Sequence, residues 1–253
     1  NEPHAPFFFN GYYHIFYQAN LHAPIWDSIQ WGHLASKDMV HWQDLPLALQ
    51  SEKGFYDELG CWSGSGLVDK DGVPRIYYTA GNSNRFPNQA VALAQPEDTE
   101  EDPLLKKWKK YPSLIKEQDI GWLGEFRDPF VWIENDSYFM LVGTGDEHNG
   151  GGNAALYASS DGLHWGSCGM LVDYDYESNQ RCGHVWELPV LLPLRDDSGK
   201  IVCHIMIFCA CQIEHDIVET YYFLGNWDAS KRTFTKWNDR AQLLDLGHGT
   251  FTG

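Results

Sequence analysis

Positive charge is what this chain has least of. Its 253 residues carry 18 Lys and Arg against 35 Asp and Glu, a formal net charge of −17. Such a balance disfavours a nucleic-acid backbone or an anionic membrane as partner, and neither is expected. Long apolar runs are absent as well, none approaching the ~18 residues a spanning helix needs. Cysteine is sparse: Cys61, Cys168, Cys182, Cys203, Cys209 and Cys211 show no zinc-ligand spacing. Cys203, Cys209 and Cys211 share one parity of an apolar run, so buried free thiols are expected, a leaning towards a reducing compartment. His14, His33, His41 and His164 recur inside strand or turn motifs with no trio at metal spacing, so no metal is expected. The glycine-rich stretch 143–153 lacks the Lys-Ser/Thr and the helix of a phosphate loop. It is expected to be a mobile surface loop bordering a pocket. No organic cofactor is implied. A sustained helical stripe is missing too, and the one candidate, 96–110, is mostly charge and is expected to be a surface loop.

Aromatics are abundant. With 43% hydrophobic residues the chain has ample material for a core, and 11 Trp and 13 Tyr raise a specific question of use. Sugar rings stack their C–H faces on aromatic planes, and β-rich folds also pack aromatics in their cores. Most of these side chains are expected to be packing.

The chain reads as β throughout. Short aromatic and β-branched runs at 12–17, 64–68, 75–79, 90–94, 130–133, 138–142, 154–159, 202–209 and 219–224 are strand candidates. Turn clusters such as Lys70-Asp71-Gly72 and Glu134-Asn135-Asp136 separate them. A repeat lies beneath. Ser36-Lys37-Asp38-Met39-Val40-His41-Trp42 is echoed by Ser160-Asp161-Gly162-Leu163-His164-Trp165, with looser echoes leading to Trp108 and to Phe234 and Trp237. Units of four short strands, roughly sixty residues apart, fit the blades of a β-propeller.

Three acidic motifs carry the chemistry. They are Asn1-Glu2-Pro3-His4, Glu125-Phe126-Arg127-Asp128-Pro129 and Val185-Trp186-Glu187-Leu188-Pro189. Cleavage of a glycosidic bond needs two carboxylates facing each other across the sugar. A third can hold hydroxyls. The three acids are too far apart in sequence to meet on one local element, and a propeller can gather them, one per blade, around its axis.

In their order these motifs resemble glycoside hydrolase family 32, the invertase and fructanase group. Asn1-Glu2-Pro3-His4 stands where that family has Asn-Asp-Pro-Asn. Tyr13-His14-Ile15-Phe16-Tyr17-Gln18, Trp31-Gly32-His33, Trp62-Ser63-Gly64-Ser65, Arg127-Asp128-Pro129 and Trp186-Glu187 follow. Asp245-Leu246-Gly247-His248-Gly249-Thr250-Phe251 resembles the opening of the fifth blade. The resemblance implies an all-β, five-bladed catalytic propeller over 1–253, incomplete in its fifth blade, with the family's C-terminal β-sandwich beyond. Because the chain opens inside a motif, a fragment or processed form is expected.

The resemblance also implies roles. Glu2 would be the nucleophile, although it is one methylene longer than the family's Asp. Glu187 would be the general acid/base, in the apolar company of Leu188 and Leu191, where desolvation would favour its protonated form. Asp128, kept ionised by Arg127, would grip two sugar hydroxyls. Asn1, Gln18, Trp26, Trp62 and Ser63 would line a fructose pocket. The expected activity is retaining hydrolysis of β-fructofuranosyl bonds in sucrose, inulin, levan or fructo-oligosaccharides. Fructosyl transfer on the same site, a carbohydrate-binding pseudoenzyme and a five-bladed arabinan-type hydrolase stand as alternatives.

Overall fold

A computed structural model describes residues 2–212 and 218–244. Apart from a 3-10 turn at Glu177–Cys182, every regular element among them is a β-strand. Blade I consists of β1 (Pro3–Phe9), β2 (Tyr12–Ala19), β3 (Gln30–Ser36) and β4 (Trp42–Leu49). Blade II holds β5 (Gly60–Val68), β6 (Pro74–Gly81), β7 (Gln89–Pro96) and β8 (Trp108–Lys110), and β9 (Lys116–Glu117) adds to β7. Blade III is β10 (Arg127–Glu134), β11 (Ser137–Asp146), β12 (Gly151–Ser159) and β13 (Gly166–Met170). Blade IV is β14 (Val185–Arg195), β15 (Ile201–Cys211), β16 (Glu219–Asp228) and β17 (Thr233–Lys236), with β18 (Gln242–Leu243) paired to β16. Each blade is an antiparallel meander in chain order. Asn1 and the expected fifth-blade opening at 245–251 lie outside the described residues.

Local sequence explains the meanders. Asn10-Gly11 and Asn135-Asp136 carry consecutive positive φ angles (48° and 82°, 49° and 61°), as a two-residue hairpin whose twist matches its strands requires. At the third turn of blades I and III the repeat is structural. Ser36 and Ser159 hydroxyls donate to Asp38 and Asp161, and each aspartate then faces a histidine ring, His41 or His164, at 2.8 Å. The repeat therefore begins at Ser159, one residue earlier than the sequence echo suggests, with Gly162 in the positive-φ place of Met39.

Hydrophobic cores lie between blades. Phe16, Trp31, Ile76 and Tyr78 fill the space between blades I and II. Tyr77, Val91, Val142 and Tyr157 join II to III, and Leu141, Leu156, Trp186, Phe208 and Phe223 join III to IV. Trp186 is fully buried with its ring stacked 3.7 Å from Phe208. Burial of such a ring stabilises by roughly 1.5–3 kcal/mol.

All nine strand candidates fall in strands. Two expectations are corrected. Stretch 143–153 is a hairpin: residues to Asp146 and from Gly151 are paired, because its glycines let neighbouring parts pack where a Cβ would collide. A Cβ on Gly143 would lie 2.2 Å from the Trp186 carbonyl, and one on Gly152 2.2 Å from the Trp186 ring. Stretch 96–110 is not simply a loop either. It begins and ends in strands, and Leu105 is fully buried, its turn held by backbone N–H groups of Lys106 and Lys107 donating to Asp102.

Candidate active site

One device shapes the site four times. The first strand of each of the four described blades carries a β-bulge, after His4, Trp62, Arg127 and Glu187 respectively. In three blades the next residue takes positive φ and precedes proline: Ala5 (50°), Asp128 (61°) and Leu188 (49°). That conformation costs a non-glycine residue roughly 1–2 kcal/mol, so packing must hold each kink. The bulges create two tiers. His4, Trp62, Arg127 and Glu187 form one; Ala5, Ser63, Asp128 and Leu188 form the other. An axial cavity of about 260 Å³ is lined by Ala5, Gly64, Asp128, Pro129, Leu188 and their neighbours.

Arg127 is the hub of the first tier. Its Nε donates to Glu187 Oε1 at 2.9 Å and its Nη1 to Gln89 Oε1 at 3.2 Å, and Nη1 also pairs with Glu125. Gln89 accepts a second bond from the Phe126 N–H at 3.0 Å. Burial alone would lower the guanidinium's pKa, and the charges of Glu187, Asp128 and Glu125 more than reverse that, so it stays firmly cationic.

Asp128 does not form the ion pair with Arg127 that sequence adjacency suggests. Consecutive strand residues project to opposite faces, and the bulge turns the carboxyl inward. Its Oδ2 accepts the Leu188 N–H at 3.1 Å, and its own N–H donates to Thr79 Oγ1 at 2.7 Å. Burial pushes its pKa well above the usual carboxylate range, the charge of Glu187 adds to the push, Arg127 opposes it and Glu2 adds again. Burial and the charge of Glu187 therefore favour the protonated form of Asp128 more than the expected pairing with Arg127 alone would allow.

Glu187 is not in the apolar setting its neighbours suggest. Leu188 and Leu191 are buried, whereas the Glu187 carboxylate faces the Arg127 guanidinium and keeps 25% of its side-chain surface open. Burial and then the charge of Glu187 raise the pKa of the Cys211 thiol.

Glu2, second in the first motif, keeps 23% of its side chain exposed, with Oε1 3.6 Å from His4 Nδ1. Its carbonyl accepts the Gln18 N–H at 3.2 Å, which fastens it to β2. The charges of Glu2 and Glu187 both reach Asp128, so acids of blades I and IV lie within electrostatic range of one in blade III.

The other expected pocket residues form a connected wall. The Gln18 amide donates to Ser63 Oγ and accepts from Trp26 Nε1 at 3.3 Å. Trp26 lies 5.1 Å from Trp62, ring to ring, and a depression of about 560 Å³ opens beside Gln18, Asn20 and Trp26. The two tryptophans differ in kind: Trp26 is 63% exposed and Trp62 8%.

Sequence reasoning missed Thr79, Gln89, Glu125 and His4 as site residues. Thr79 joins two blades at their kinks, donating to the Ser63 carbonyl while accepting from Asp128. A polar residue near one end of a largely apolar strand, Thr79 late in β6 and Gln89 opening β7, was the available signal.

Comparison with known proteins matches this arrangement to one family. The model of the glycosyl hydrolases family 32 N-terminal domain covers residues 1–252. The chain belongs to glycosyl hydrolase family 32. Among its family-32 relatives, a sucrose-6-phosphate hydrolase from Zymomonas mobilis is 34% identical over 98% of this chain and 48% of its own length. A fructan 1-exohydrolase w2 from Triticum aestivum is 35% identical over 99% of this chain and 42% of its own. The chain thus spans somewhat less than half the length of these relatives. Among solved structures, fructan 1-exohydrolase IIa (a variant) from Cichorium intybus in complex with 1-kestose superposes with a TM-score of 0.79 at 27% identity, covering 94% of this chain and 44% of that one.

Proposed function

We propose that the chain is the catalytic propeller of a retaining β-fructosidase that cleaves β-fructofuranosyl bonds in sucrose, inulin, levan or short fructo-oligosaccharides. One observation carries this reading: Arg127 holds Glu187 at 2.9 Å, Asp128 accepts the N–H of the next residue, Leu188, and Glu2 lies within electrostatic reach of Asp128. The names of the family-32 relatives support a fructosyl bond as the target. The propeller would close with a fifth blade, as the family resemblance implies.

Glu2 attacks the anomeric carbon as Glu187 delivers a proton to the departing oxygen, leaving a fructosyl ester on Glu2. Glu187 then takes a proton from water, whose oxygen displaces the ester and restores both acids. Arg127 fixes Glu187 Oε1 and so presents the carboxyl in one orientation. Asp128 meets ring hydroxyls in a buried setting, where each hydrogen bond is strengthened by the low dielectric. Gln18 and the two tryptophans wall the sugar. A sugar hydroxyl in place of water turns the same cycle into fructosyl transfer.

Product analysis on sucrose, inulin and levan with the full-length protein tests the proposal. The parent is expected to release fructose, and Glu2→Gln and Glu187→Gln to lose about 10³-fold or more in kcat. Unchanged turnover in either variant, or sugar binding by the parent without any fructose release, would overturn it.

A further inference from the structure

His4 is the first-tier residue that the proposed chemistry leaves without a task. Trp62, Arg127 and Glu187, at the same rank in the other blades, wall the pocket, orient the acid and carry the proton. His4 stands at that rank too, paired with Phe16 as the last residue before its bulge. Its ring is sealed in, 1% exposed and 4.0 Å from the ring of Trp31. Neither ring nitrogen has a hydrogen-bond partner among the described residues. Burying a polar ring unpaired costs roughly 1–3 kcal/mol, so its retention calls for a reason.

Glu2 Oε1 supplies one. It approaches Nδ1 to 3.6 Å and is itself buried, without a hydrogen bond among the described residues. Residues 2 and 4 share one face of the strand across Pro3, so backbone geometry aims the two side chains together.

We propose that His4 is a positioning residue for Glu2. As its Nδ1–H tautomer, the uncharged imidazole draws one carboxylate oxygen towards the blade and leaves the other directed at the anomeric carbon. The separation is longer than a direct hydrogen bond and closes within the torsional freedom of Glu2. Glutamate has one more rotor than aspartate, and attack requires that rotor to be frozen. The imidazole suits this task because Trp31 locks it. Burial lowers the His4 pKa more than the nearby carboxylate raises it, so Glu2 is oriented by a dipole without being neutralised by a full cation. The inference rests on Glu2 being the nucleophile. Glu2 and His4 are also the two places where the opening motif departs from Asn-Asp-Pro-Asn, consistent with a matched pair.

Steady-state kinetics on the full-length protein with Glu2→Asp, His4→Asn, His4→Phe and the double variant Glu2→Asp/His4→Asn test the pairing. Each single variant is expected to lose about 10–100-fold in kcat with KM within about threefold, the pattern of a misplaced group rather than lost binding. The double variant is expected to recover at least about tenfold over the poorer single. Losses that simply multiply in the double variant, or full kcat in His4→Phe, would overturn the pairing. Nitrogen-15 spectra of the imidazoles, parent against Glu2→Gln, read the contact without turnover. A shifted His4 Nδ1 signal is expected, and an unchanged one overturns the pairing. A parent that releases no fructose sinks the proposed function instead, and the spectra keep the two failures apart.

Discussion

Arg127 Nε donates to Glu187 Oε1 at 2.9 Å, joining the inner strands of blades III and IV at equal rank. The guanidinium's other contacts, to Gln89 and Glu125, need its planar fork. Arg127→Lys keeps the charge but not the fork. A fall of about 10²-fold in kcat, with a small change in melting temperature, is expected from kinetics on sucrose or 1-kestose.

Asp128 gives a prediction on the alkaline side. Its folded pKa lies above the ordinary 3.8 because of burial and the charge of Glu187. Between those two values the folded chain holds a proton that the unfolded chain has released. The associated stability is full below 3.8 and is lost as pH rises through the raised value. Asp128→Asn should therefore show a smaller drop in melting temperature between about pH 5 and about pH 8 than the parent. An identical drop would contradict this account of the carboxyl.

The buried pair His14–His33, 2.9 Å apart, acts on the acid side. Burial lowers His14 from 6.5 to about 4 and His33 to about 3. Below 6.5 the unfolded chain takes up protons that the folded rings refuse, so stability falls as pH falls towards 4. Each imidazole contributes about 1.4 kcal/mol of loss per pH unit in that window. His33→Gln keeps a hydrogen-bonding partner that does not titrate, and urea titrations should show a shallower acid limb than the parent's.

Gly143 couples stability to the site. It pairs with Arg127 across the sheet, and a Cβ there would lie 2.2 Å from the backbone carbonyl of Trp186, which cannot swing aside. Gly143→Ala should destabilise by about 1–3 kcal/mol and, by displacing β14, lower kcat as well. Thermal melts and kinetics on one preparation check both effects together.

Much of this was legible in the sequence, and the misses have physical causes. Alternating aromatic and β-branched residues announced the strands, and the ordered acidic motifs announced the family. Arg127 and Asp128 suggested an ion pair because they are adjacent, whereas adjacency on a strand separates side chains. The kink that reinforces this is carried by Ala5, Asp128 and Leu188, residue types that give no local hint of a left-handed backbone. Glycines at 143 and 152 looked like loop residues because the parts that crowd them belong to the next blade. Thr79 and Gln89 were marked only by being polar near strand ends, because Asp128, Phe126 and Arg127, which they meet, lie across a blade boundary.

The kinked inner strands confine chemical variety to very few addresses. Each blade offers one side chain per tier, and these positions stand apart from most of the inter-blade packing that holds the molecule together. Evolution can exchange Trp for Arg, or Arg for Glu, at a given rank while the surrounding wheel keeps its shape. A survey of substitutions confined to those ranks would therefore be an economical way to redirect what the scaffold does.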